Sequence, residues 1–394
     1  MKMCIGGALA SVVLAAWLPP VAQAQGFSVL YSFQGGDDGA NPQTVLVRDK
    51  AGDLYGTTVR GGHKSQCDSG CGTVFRLAPD GTESVLYAMK TTSGSAFPNG
   101  ALNLDRRGNL YGGGAAGAVF ELGADGKLDV LHDFIDVLDG PYGGLIEGPS
   151  GAHYGTIPFG GTQTGGCPYG CGMVYEVTKK GAVNIIYSFG GDQSGAGDGQ
   201  EPLVAPIMDA AGNLYGTTNE GGTGGCGTVY KIAAGGTETV LHSFGCGSDG
   251  AYPGSSLILD SDGDLYGTTE DGGNASCQYG CGTVFELAPD GTFSVLYAFT
   301  GSDGALPARN LVRDGKDIYG TTSGGGASSN CYAGCGTVFA IDLHGAEAVL
   351  HSFSGSDGSF PFGLLRAPGG MLYGATTEGG TAGDGVIYEV APFK

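Results

Sequence analysis

Basic residues are scarce in this chain: 18 Lys and Arg stand against 39 Asp and Glu, a formal net charge of −21. So acidic a surface repels phosphate backbones and anionic lipid, which argues against nucleic acid or a charged membrane surface as partner. Cations, neutral glycans and proteins remain. Helix-forming runs are nearly absent while 80 glycines punctuate the sequence, so the reading is all-β with many turns. No apolar run reaches the roughly 20 residues that a spanning helix needs, and membrane insertion is not expected. A nucleophile elbow, a P-loop, a dinucleotide fingerprint and an HExxH pair are all missing, so no motif names a reaction.

The first 25 residues carry a basic start at Lys2, an apolar run from Cys4 to Leu18, and Ala22-Gln23-Ala24, the small-x-small form of a signal-peptidase site. Residues 1–24 are expected to be an export signal cleaved after Ala24, and residues 25–394 a single domain. Loss of Lys2 makes the net charge −22. Cys4 lies too near the start for lipid attachment and no tail anchor is expected, which points to a secreted or periplasmic protein.

What is abundant is one phrase. Asp53-Leu54-Tyr55-Gly56-Thr57-Thr58 returns in worn form six times, with its tyrosine at Tyr55, Tyr111, Tyr154, Tyr215, Tyr266, Tyr319 and Tyr373. The first and last are 318 residues apart, a mean of 53 per repeat, and such a period marks a repeat architecture. Each unit reads as four short strands, in the first unit Thr44 to Arg48, Asp53 to Val59, Gly72 to Ala78 and Glu83 to Met89. The fourth-strand phrase of the VLYSF type starts early, at Val29, and is missing from the last unit. That offset predicts a closed ring: a seven-bladed β-propeller, four antiparallel strands per blade, whose last blade is completed by the N-terminal strand. The loops between the second and third strands and those between blades then share one rim, the candidate functional face. The glycine after each tyrosine is read as a close backbone approach or a kink.

Ten cysteines follow the leader. Cys67/Cys71, Cys167/Cys171, Cys277/Cys281 and Cys331/Cys335 form four CxxxC phrases, read as disulfides closing short loops, each worth about 2 kcal/mol. Zinc ligation is the rival, and the export signal disfavours it. Cys226 and Cys246 flank a strand pair symmetrically about residue 236, which predicts a cross-strand disulfide worth about 3 kcal/mol.

The phrases LYGTT, CGTVFRLAPDGTESVLYAM and SDGAYP resemble the tandem repeat of bacterial GloVer-containing (choice-of-anchor tandem repeat GloVer) proteins, over about Phe27 to Lys394. The resemblance implies a repeat architecture and export, and supplies no catalytic residues. The chain stops soon after its last strand, so the surface anchoring implied by the family's name is not expected.

Candidate chemistry is sparse. Asp38, Asp198, Asp249, Asp303 and Asp357, each in an Asp-Gly ahead of a proline, offer one carboxylate per blade; calcium is possible, and a repeated Asx-turn is the reading preferred. Asp139 belongs to a shortened copy. His132, His242 and His351 replace the tyrosines of the fourth strand (Tyr31, Tyr87, Tyr187, Tyr297), which suggests packing rather than acid–base work. His153, Arg309, Glu201 and Tyr142 break the repeat and are the weak catalytic candidates. Glu220, Glu270 with Asp271, and Glu378 could serve a glycoside hydrolase; Arg309 and Arg60 could bind a uronate in a polysaccharide lyase, by fold-level analogy. His63 lies alone in a loop. The expectation is a monomeric binding or interaction module for an extracellular glycan or protein, without a required cofactor. A carbohydrate-active enzyme with its site in the central funnel, and a structural envelope protein, are the alternatives.

Overall fold

The structure is a computed structural model, and the residues described are 26–62, 67–91, 96–134, 140–161, 163, 167–190 and 197–392. The expected leader, His63 and Asp139 lie outside them. Seven antiparallel four-stranded sheets form the ring. In the first blade the strands are Val47–Arg48, Leu54–Thr58, Thr73–Leu77 and Glu83–Ala88. The last blade comprises Ser359–Arg366, Leu372–Glu378 and Val386–Val390, with Phe27–Ser32 as its outer strand. Phe27 pairs with Val390 and Val29 with Tyr388, so the N-terminal strand closes the ring as the offset predicts.

The inner strands depart from expectation. In the first, second, fourth and fifth blades they shrink to two residues, whereas Tyr142–Glu147, Ala305–Asp314 and Ser359–Arg366 are longer and carry register shifts. Ahead of the short strands pairing is confined to isolated bridges, such as Ala40 with Arg60 and Pro98 with Gly114, and to the two-residue ladder of Gly199–Gln200 with Glu220–Gly221.

The hydrophobic core is seven clusters, one in each seam between consecutive blades. The glycine of each LYG phrase sits opposite the third-strand aromatic, as Gly56 does opposite Phe75 and Gly267 opposite Phe285. A Cβ on Gly56 would come within 2.7 Å of Phe75 Cζ and 2.8 Å of Thr44 Cγ2. Close approach, not a kink, explains this glycine. The second threonine of the phrase then meets a threonine across the sheet, Thr58 Oγ1 to Thr73 Oγ1 at 2.8 Å, so a buried hydroxyl has its partner.

Successive blades are joined by a repeated handshake. The residue before six of the seven loop prolines takes a left-handed backbone: Asn41, Phe97, Glu201, Tyr252, Leu306 and Phe360 have φ between 53° and 59°. Its N–H donates to a carbonyl of the preceding blade: Phe97 to Cys71 (2.8 Å), Glu201 to Cys171 (3.0 Å), Tyr252 to Cys226 (2.9 Å), Leu306 to Cys281 (3.0 Å) and Phe360 to Cys335 (3.0 Å). The proline packs on the glycine after that cysteine, where a Cβ on Gly72 would lie 2.8 Å from Pro98 Cδ. All five cysteine pairs are disulfides with Cα atoms 5.1–5.4 Å apart. They therefore hold the loop that catches the next blade. A left-handed non-glycine residue costs of order 1–3 kcal/mol, and the carbonyl clasp holds it there. At the ring closure Asp384 stands in for cysteine, its carbonyl accepting from Asn41 at 2.9 Å.

Candidate functional site

Every blade sends its incoming segment to the axis at the loop rim, and there the seven segments leave a cavity of about 180 Å³. Its wall takes Gln43 and Val45 from the first blade, Asn99 from the second, Gly143 and Val204 from the third and fourth, and Ser256 from the fifth. The sixth supplies Arg309 and Asn310, the seventh Phe362. Between the second and third blades the wall narrows to backbone: a Cβ on Gly100 would lie 2.7 Å from Gly144 N. The arc from the sixth blade through the second carries Arg309, Phe362, Gln43 and Asn99.

The Arg309 Cζ lies 5.2 Å from the centroid of the Phe362 ring, a cation–π contact. Its backbone is itself an outlier, φ 37°, and its carbonyl accepts from Ser256 N at 2.8 Å. Asn310 clips the next blade through both amide atoms, Nδ2 to Leu364 O at 2.9 Å and Oδ1 from Leu364 N at 3.0 Å. Asn99 is 8% exposed, and its Oδ1 has no hydrogen-bond partner.

The four repeat-breaking residues do not converge. Only Arg309 lines the cavity. Glu201 is the clasped residue ahead of Pro202, its carboxyl pushed up by burial and by Glu220. Tyr142 opens an inner strand next to Gly143, pairing with Thr156. His153 is fully buried against Tyr111, ring centroids 4.1 Å apart, and neither ring nitrogen has a partner. Burial pushes its pKa down, so the ring is neutral. Because Leu54, Leu110, Leu214 and Leu265 fill the same position in other blades, His153→Leu is expected to stabilise by about 1–2 kcal/mol. The sign with pH follows: the unfolded histidine binds a proton below about 6.5 that the folded one refuses. The gain in the variant's urea midpoint should therefore grow as pH falls from 7 to 5.

The five loop aspartates are engaged by their own loops. Asp38 accepts from Gln34 N (2.8 Å) and Tyr31 Oη (3.0 Å), Asp198 from Gly190 N (2.8 Å) and Tyr187 Oη (3.1 Å), Asp303 from Thr300 N (2.8 Å) and Tyr297 Oη (2.5 Å). In two histidine blades the ring takes the hydroxyl's place: His351 Nε2 lies 2.9 Å from Asp357 and His242 Nε2 3.6 Å from Asp249. Each of these aspartates is the acceptor of an Asx-type turn on a separate blade. Glu220, Glu270 and Glu378 are likewise on three different blades. Asp260, Asp262 and Asp264 lie together in a turn on the other rim, where Asp260 already accepts from two backbone N–H groups and from Arg313 at 2.6 Å.

The alternation of tyrosine and histidine has a partner across the seam. Where the fourth strand offers Tyr31, Tyr187 or Tyr297, the next blade's fourth strand begins with Glu83, Glu238 or Glu347. Where it offers His242 or His351, the counterpart is Phe293 or Phe27, stacked at 3.8 and 3.6 Å. Burial and the neighbouring aspartate raise all three glutamates to about 7. With folded values above the unfolded 4.5, their contribution is fully present below pH 4.5 and lost as pH rises through 7. Each Glu→Gln change is expected to stabilise at pH 8 by about 1 kcal/mol, discounted for half-exposed groups, and to be neutral at pH 4. Thermal melts at the two pH values check this.

No curated protein matches the chain. Among solved structures it is similar to the extracellular domain of a protein described as a one component system from B. thetaiotaomicron, at 14% identity and TM-score 0.55. That match covers 94% of this chain, which spans 42% of the other's length. A protein described as a gluconolactonase is similar at 16% identity and TM-score 0.39, with 76% of this chain and 89% of that one covered. The first likeness shows the fold and no more. The Gloeobacter/Verrucomicrobia repeat matches residues 20–196 and again 114–333, most of the sequence. Seven copies of the LYGTT phrase, closed into a ring, make this chain a member of the Gloeobacter/Verrucomicrobia repeat family.

Proposed function

We propose that the protein is an exported binding module that takes an extracellular glycan at the loop rim of its propeller. The observation that carries this is the axial cavity: all seven blades line it, and it is where an otherwise repeating chain stops repeating. Its wall holds amides, a guanidinium and an aromatic ring but, among the described residues, no carboxylate to act as acid or base. This favours binding over hydrolysis. Tyr169, Tyr279 and Tyr332 support the same face, each exposed within a disulfide-closed loop, where rigid presentation reduces the entropy lost on binding. Five disulfides suit an oxidising, extracellular or periplasmic setting. Among the described residues no helix is long and apolar enough to cross a membrane.

The test is a panel of acidic and neutral polysaccharides with the oxidised protein, following thermal stabilisation, new reducing ends and absorbance from unsaturated uronates, with calcium and with chelator. Stabilisation without product is the expected outcome. Product from any glycan would replace the binding module by an enzyme, and silence on all three readouts would leave a structural role or a protein partner.

A further inference from the structure

We propose that the axial cavity is a site for a hydroxylated carboxylate, the acidic sugar unit of a glycan, with Arg309 as its counter-ion and Asn99 as acceptor for a ligand hydroxyl. This rests on the glycan-binding reading and narrows its ligand.

Three observations meet at one place. Arg309 has no ion pair and no side-chain hydrogen bond among the described residues, although acidic residues outnumber basic ones two to one in this chain. Three other half-buried arginines have found carboxylates: Arg313 with Asp260 at 2.6 Å, Arg76 with Asp53 at 2.6 Å, and Arg366 with Asp314. Arg48, the other half-buried arginine without an ion pair among the described residues, does not line the cavity. An arginine without one, held on Phe362 at the rim of a cavity, keeps its planar fork of donors for an incoming anion.

The second observation is Asn99. More than nine-tenths buried, it lines the same cavity with an unpartnered Oδ1. A buried amide oxygen without a donor is a cost that a ligand hydroxyl would remove. Gln43 lies beside it on the first blade, so the polar atoms suit a ligand bearing hydroxyls next to its carboxylate. The third is backbone geometry. Arg309 has φ 37°, a conformation glycine would adopt without strain, and it is not the clasped residue before a proline. Ring assembly uses only its carbonyl, through Ser256 N, which any residue provides. The side chain is thus surplus to the fold and placed where a ligand would meet it.

Glu270 is the nearest competitor. Its carboxyl is pushed up by burial, Arg309 pulls it back, and Asp271 opposes that. It lies against Gly254, and among the described ion pairs it has none with Arg309. It is a neighbour at longer range that a bound carboxylate would outcompete.

The experiment is calorimetric titration of the oxidised chain with galacturonate and glucuronate, their short oligomers, and the matching neutral hexoses and oligomers, at low and high salt. The uronates are expected to bind at least tenfold tighter than the neutral sugars, and the preference to shrink as salt rises. Arg309→Gly should abolish the preference while its melting temperature stays equal to or above that of the parent. Asn99→Asp, which sets a like charge against the carboxylate, should weaken uronate at least tenfold and spare neutral oligomers. Equal binding of uronate and hexose, or a uronate affinity indifferent to Arg309→Gly, would overturn the carboxylate assignment and leave the binding module standing. Failure of every sugar and oligomer to bind the parent chain would overturn both.

Discussion

A chain that begins at residue 34 is expected to lose the ring as a whole, not a single strand. Phe27–Ser32 is the outer strand of the last blade, and its contacts reach three blades. Phe27 stacks on His351 of the sixth at 3.6 Å and lies 5.7 Å from Tyr388 of the seventh. Phe33, fully buried, meets Phe75 of the first at 5.2 Å, and its N–H donates to Gly385 O at 3.0 Å. Without the segment, Val386, Tyr388 and Val390, now wholly buried, would front an open edge with unpaired backbone. Removing the buried Phe33 alone costs about 3–5 kcal/mol, and loss of the half-buried Phe27 adds to it. The truncated chain should therefore unfold in urea at least about 5 kcal/mol earlier than the parent, with a broadened transition. The point variant Phe33→Ala should lose about 3–5 kcal/mol with the transition still sharp. A truncated chain within 1 kcal/mol of the parent would show that the closing strand does not hold the ring.

The second large effect is expected at the glycine of the LYG phrase. A Cβ on Gly267 would stand 2.6 Å from Phe285 Cζ and 2.8 Å from Leu257 Cδ2, and both residues are buried in the seam between the fourth and fifth blades. Phe285 cannot swing aside, because Phe244 and Phe293 pack on it at 5.4 and 5.5 Å. Gly267→Ala should cost about 2–3 kcal/mol, the upper range for overpacking by a small group. Phe285→Leu removes the ring edge and should cost about 1–2 kcal/mol by itself. In the double variant the methyl occupies the space the ring has left, so the loss should fall short of the sum by at least about 1 kcal/mol. Strict additivity in urea melts would mean that the glycine answers to backbone conformation and not to the aromatic.

What could be read from the residues was whatever the repeat states seven times. The LYG tyrosines, the third-strand aromatics and the displaced Val29 phrase gave blade number and closure, since each follows from chemistry within a few residues along the chain. The pairing of Cys226 with Cys246 was legible for the same reason: they sit level across one hairpin. The site was not, because seven segments far apart in sequence meet only at the axis. Gln43, Asn99, Ser256, Asn310 and Phe362 are quieter departures from the repeat than His153, whose neutral ring merely fills a leucine's place. One signal existed: all five follow a loop proline by one to three residues, a stretch in which the seven copies differ from one another. Lining up the units on that proline would have exposed the arc. The link between Tyr31, Asp38 and Glu83 was out of reach too, since it crosses from one blade to the next.

The clasped ends decide how this ring would be mounted. Ala391 N donates to Gly26 O at 3.2 Å, so the two ends of the propeller lie side by side on the outermost strand pair of one blade. Both emerge at the rim of the tight turns, opposite the loops and the mouth of the cavity. Any tether joined to either end, or to both, would leave from the back and periphery of the disc. The loop face would then point away from the anchorage, toward the medium.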